Sequence, residues 1–98
     1  MVRLHAKEGK EQEVETFLRE ALPIVEDETA TSVWHALRIN NSTFLIFDTF
    51  PDDKGRQAHL SGKVARALKE RSSELFSEPP VIEELDILAV KMPVVVQY

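Results

Sequence analysis

The chain has no cysteine. That excludes a disulfide framework, a thiol nucleophile, a thiolate zinc site and a cysteine-ligated iron–sulfur cluster. It has only three glycines, Gly9, Gly55 and Gly62, none close enough together to form a dinucleotide fingerprint or a phosphate-cradling loop. No Gly-x-Ser-x-Gly elbow and no His-Glu-x-x-His pair occurs, which removes two common hydrolase signatures. No apolar run approaches the ~20 residues that span a bilayer, and the first residues, Met1 to Glu8, lack an apolar signal core. The sequence therefore reads as cytoplasmic, with no membrane partner. Excess basic charge is missing too: 12 Lys and Arg stand against 17 Asp and Glu, which disfavours nucleic acid as a partner.

Ninety-eight residues suit one domain, and a chain of this size has a thin core. Val2, Leu4 and Ala6 alternate with Arg3, His5 and Lys7, the period of a half-buried strand. The period then changes. Val14, Phe17, Leu18, Ala21, Leu22 and Val25 fall at steps of three and four, one stripe of an amphipathic helix that passes through Pro23. Thr31 to Ile39 is rich in β-branched and aromatic residues and reads as a strand, with Val33, His35, Leu37 and Ile39 on one face and Trp34, Ala36 and Arg38 on the other. Asn40-Asn41-Ser42 is a turn. The next strand, Thr43 to Phe50, sets Phe44, Ile46, Asp48 and Phe50 opposite Leu45, Phe47 and Thr49.

Asp52 or Asp53 caps the following helix, which Ser61-Gly62 interrupts before a second piece bearing Val64, Leu68 and Leu75. Glu78-Pro79-Pro80 ends all helix. Val81 to Lys91 is expected to be the last strand, with Leu85, Ile87 and Ala89 alternating against Asp86, Leu88 and Val90. The order β-α-β-β-α-β gives an α+β class: a ferredoxin-like fold whose four-stranded antiparallel sheet is covered on one face by helices. The other face would still show apolar side chains, so a homodimer through the open sheet face is expected. Residues 1–93 make the domain and 94–98 a tail. The tail is apolar from Val94 to Val96 and is expected to pack on its own subunit or across the dimer.

Four stretches carry a resemblance to a family: Ala6-Lys7-Glu8-Gly9-Lys10-Glu11, Phe44 to Asp52, Gln57-Ala58-His59-Leu60 and Leu85 to Lys91. Together they resemble the antibiotic biosynthesis monooxygenase domain of the dimeric α+β barrel superfamily, across nearly the whole chain. The resemblance implies two subunits paired sheet to sheet into a barrel, each with a small pocket between helices and sheet. It implies oxidation of phenolic or quinol-type aromatics by dioxygen with no cofactor, while related members bind and degrade haem. The family's usual acid is Glu where this chain has Asp48, and its common Trp is here Phe50.

His59 is the leading candidate for catalysis, because a near-neutral imidazole suits proton transfer from a phenol. The plainer reading is a histidine that bonds the helix–sheet junction. Asp48 shares a face with Phe44, Ile46 and Phe50, where a carboxylate needs a partner. His59, Arg38 and a backbone amide are the options, and an Asp–His pair would orient a base. Trp34, Phe44, Phe47 and Phe50 are candidates to line an aromatic-binding cavity, or else are core and interface. His5, His35 and His59 lie on three separate elements and lack metal-site spacing, so no metal is assigned. A dimeric binding or stress-related protein that uses the pocket without chemistry is the alternative function, and a haem-binding relative is a third reading. A pocket of roughly 300 Å³ or more, with His59 and a carboxylate facing it, is what the enzyme reading requires.

Overall fold

A computed structural model describes residues 1–92. Four strands and three helices follow in the order β1 (Val2–His5), α1 (Glu11–Glu26), β2 (Val33–Asn40), β3 (Thr43–Thr49), α2 (Asp53–Leu60), α3 (Lys63–Leu75) and β4 (Val81–Ile82). The strands form one antiparallel sheet in the order β2-β3-β1-β4. This is the ferredoxin-like arrangement expected from the alternation of periods.

The register sorts the two faces. Trp34 lies opposite Asp48, Ala36 opposite Ile46 and Arg38 opposite Phe44, while Leu4 pairs with Phe44 and Val2 with Ile46. Those side chains share the face that the helices cover, since strand side chains alternate. Leu4, Phe44 and Ile46 join Val14 and Leu18 of α1 and Leu68 and Leu75 of α3 in the main core. A smaller cluster of Ala21, Val25 and Val64 sits where α1 meets α3, and Trp34 packs against both clusters. His35, Leu37, Leu45 and Phe47 occupy the uncovered face, where His35 and Phe47 have ring centroids 6.5 Å apart.

Local chemistry explains the element boundaries. Gly9 takes a positive φ of 86° in the turn between β1 and α1, a conformation glycine adopts without strain. Pro23 lies inside α1 and the helix continues to Glu26. Asp52 caps α2 by accepting a hydrogen bond from the Gly55 N–H at 2.8 Å. Ser61-Gly62 does separate the two helical pieces.

The last strand differs from expectation. Val81 to Lys91 has strand-like composition, yet only Val81 and Ile82 pair, with Arg3 and Val2. Glu83 and Met1 then exchange two main-chain bonds of 2.8 and 2.9 Å. Beyond Glu83 no described strand runs alongside the chain. β-Propensity makes a strand only where a ladder partner exists. Residues 84–92 therefore run on without pairing, and Leu88 is 95% exposed. The expected packing of the tail falls on residues 93–98, outside those described. Among the described residues no helix is long and apolar enough to cross a membrane.

Candidate functional site

One cavity of about 690 Å³ opens between the sheet, α2, α3 and the segment after β4. Ile46, Phe50, Val64 and Leu68 supply apolar wall, and Asp48, Arg56, His59 and Lys69 supply polar groups. Glu83 to Ile87 close one side. Arg56 meets Asp53 at 3.6 Å and Glu84 at 3.5 Å, which ties α2 to that segment.

At the wall of this cavity stands a cluster of three ionisable side chains. β3 brings Asp48 to the covered face because its neighbours Ile46 and Phe44 must be buried there. α2, capped by Asp52, presents His59 from its last turn. His59 Nε2 lies 3.0 Å from Asp48 Oδ2, and Nδ1 lies 2.5 Å from Oε2 of Glu28, in the connection between α1 and β2. The side chains of His59 and Asp48 are 8% and 7% exposed. Hydrogen bonding to Asp48, reinforced by Glu28, raises the His59 pKa above the ordinary histidine value of 6.5, against the opposing effect of burial. The Phe50 ring lies 5.4 Å from the imidazole, centroid to centroid.

Of the six residues singled out in the sequence, Asp48, His59 and Phe50 line this cavity, whereas Phe47 borders it from a strand position whose side chain lies on the uncovered face beside His35. Phe44 instead fills the main core and, with Trp34, borders a smaller hollow of about 380 Å³ between α1 and β2. Trp34 is wedged between the two core clusters, and its Nε1 is buried without a hydrogen-bond partner among the described residues. Of the partners open to Asp48, His59 takes that place. Arg38 pairs with Glu15 instead and lies over the Phe44 ring at 5.1 Å. His5 pairs with Glu78, His35 lies on the uncovered face, and no cluster with metal-binding geometry occurs among the described residues.

Glu28 and Arg56 were not evident from the sequence. Glu28 sits in a connection that has no period, so only the path of the chain in space brings it to His59.

Fold and site together define a ferredoxin-like α+β protein with a ligand-sized cavity and a carboxylate–imidazole–carboxylate cluster whose Asp48 and His59 side chains are buried. No family model matches the chain, and no curated protein does. Among solved structures, the NE2512 protein of unknown function from Nitrosomonas europaea is 47% identical, over 95% of this chain and 90% of that one, with a TM-score of 0.91. The chain belongs to the same family as that protein. PA3566 from Pseudomonas aeruginosa is 18% identical over 90% of each chain, with a TM-score of 0.77. A "Putative antibiotic biosynthesis monooxygenase" from Bacteriodes thetaiotaomicron VPI-5482 is 15% identical, over 94% of this chain and 91% of that one, at 0.69. These two share the fold.

Proposed function

We propose that the chain is a cofactor-independent monooxygenase acting on a small hydroxylated aromatic of the phenol or quinol type. The observation that carries this reading is a cavity of about 690 Å³ with an apolar, partly aromatic wall and a buried Asp48–His59 pair in it. Such a volume lies within the roughly 300–1,000 Å³ typical of small-molecule sites. Phe50, whose ring lies beside His59, gives flat apolar surface for a ring, and the acid–base pair receives the hydroxyl proton. Shielding from water leaves the resulting anion electron-rich. Electrons pass from the anion to dioxygen, and a carbon–oxygen bond forms at a ring carbon that bears hydrogen. Loss of water from that hydroperoxide leaves a carbonyl. The balance is one quinol plus one dioxygen giving one hydroxyquinone plus one water, with no outside reductant.

Dioxygen uptake with a panel of hydroquinones tests the proposal. Enzyme-dependent uptake that Asp48→Asn lowers by about 100-fold or more supports it. Uptake equal to the uncatalysed rate, or unchanged in that variant, overturns it.

One observation favours a second reading, a binding protein without chemistry: both ring nitrogens of His59 already have carboxylate partners. In that case an aromatic ligand binds equally well to the wild type and to His59→Gln, and neither consumes dioxygen. The proposal also assigns the uncovered sheet face to a second copy of this chain. Leu37 and Ile39 on that face are 43% and 51% exposed, and a matching apolar face on another copy would cover them.

A further inference from the structure

The cluster leaves little freedom over where its protons sit. A neutral imidazole has one N–H and one lone pair, so it donates to one carboxylate only. Its lone pair would then face an acceptor oxygen at 2.5 or 3.0 Å. An imidazolium donates to both. The charged groups bearing on His59 are Glu28, from the α1–β2 connection, and Asp48, from β3. Glu28 is itself held in place. Thr31 Oγ1 donates to its Oε2 at 3.0 Å, and Gly62 passes so close that a Cβ there would stand 3.1 Å from its Oε1.

Asp48 has a second oxygen. Its Oδ2 faces His59, whereas Oδ1 has no hydrogen-bond partner among the described residues. Oδ1 is not sealed away either, because the only sealed and unpartnered side-chain polar atom among them is Trp34 Nε1. Asp48 lines the cavity. Both ring nitrogens of His59 are already occupied by carboxylates, so Asp48, through its second oxygen, is the acceptor of the cluster left for a hydroxyl entering there.

The geometry points to Glu28 as a positioning residue that fixes His59 as a doubly protonated cation, leaving Asp48 Oδ1 as the proton acceptor of the cavity. Its catalytic meaning rests on the oxygenase reading, while the clamp itself is measurable without substrate. The fixed cation, 3.0 Å from Asp48, stands beside the site where negative charge moves as the hydroxyl loses its proton. It needs no reorganisation at that moment. His59 is thus held too firmly on both sides to act as the base.

Imidazole ¹⁵N spectra of the full chain decide the matter, with His59 assigned by the resonances lost in His59→Gln. The expected result is that both ring nitrogens of His59 still carry protons about one pH unit above the ordinary histidine value of 6.5. Glu28→Gln should move the His59 midpoint down toward that of an ordinary histidine, and Glu28→Asp should restore part of the shift. A singly protonated His59 at neutral pH, or a midpoint unmoved in Glu28→Gln, overturns the proposal. With an active substrate, Glu28→Gln should displace the pH profile of kcat in the same direction, whereas loss of mere support would lower kcat equally at every pH. If His59 titrates as described but no quinol is consumed, the oxygenase reading fails and the clamp stands.

Discussion

Replacing Asp48 with Ala probes the buried cluster through stability alone. The Asp48 and His59 side chains are 7% and 8% exposed, so water does not screen them as it does a surface pair. An exposed ion pair contributes at most about 1 kcal/mol, whereas removing one partner of a buried pair costs about 3–5 kcal/mol. In the variant His59 keeps Glu28 at 2.5 Å. Its charge is not orphaned, which places the expected cost nearer about 2–3 kcal/mol. For a domain of this size that lowers the melting temperature by about 8–24 °C.

The pH dependence has a definite sign. The folded His59 pKa is raised above 6.5, so its stabilisation is fully present below that value. It is lost as pH rises through the folded value. Urea unfolding followed by the single tryptophan, Trp34, at about pH 6 and about pH 9 reads both effects. The cost of the substitution should be largest at the acid end and shrink at the alkaline end. A cost below about 0.5 kcal/mol at the acid end, the range of an ordinary surface change, would refute the reasoning. So would a cost that grows with pH.

Other substitutions test the rest of the framework. Gly55→Ala sets a Cβ 2.7 Å from the Ala30 carbonyl oxygen. It should cost about 1–3 kcal/mol in urea unfolding and also disturb the connection that carries Glu28. Leu4→Ala removes a fully buried side chain from the central strand β1 and should cost about 2–5 kcal/mol in the same assay. Phe47→Glu on the uncovered sheet face should leave the chain folded by circular dichroism. Sedimentation equilibrium should then find the wild type dimeric and the variant monomeric, and a monomeric wild type would remove the second copy from the account.

The strands β2 and β3 were legible because one face of each must be buried, so period two sorts their side chains. The register bears this out, with Trp34, Asp48 and Phe44 on the covered face. The face was legible but not the place along it. Trp34 lies directly opposite Asp48, yet it packs among the core clusters rather than in the cavity. Where α1 and α3 cross the sheet decides that, and no local pattern records a crossing. The helix stripes of α1 and α3, the break at Ser61-Gly62 and the Asp52 cap were all local signals. β4 was overextended because its composition was read without its neighbour. That Asp48 has a partner followed from chemistry, since a carboxylate among Ile46 and Phe50 needs one, but the choice of His59 over Arg38 or a backbone amide came only with the structure. Glu28 did not, because its position depends on the course of a connection rather than on periodicity.

The most direct measurement of the central claim is isotopic. The protein is given a hydroquinone under ¹⁸O₂, and the product is weighed by mass spectrometry. The account predicts a hydroxyquinone carrying one ¹⁸O atom, the other appearing in water, at a rate that Asp48→Asn sharply reduces. Unlabelled quinone with hydrogen peroxide, or label uptake that Asp48→Asn leaves unchanged, would contradict it.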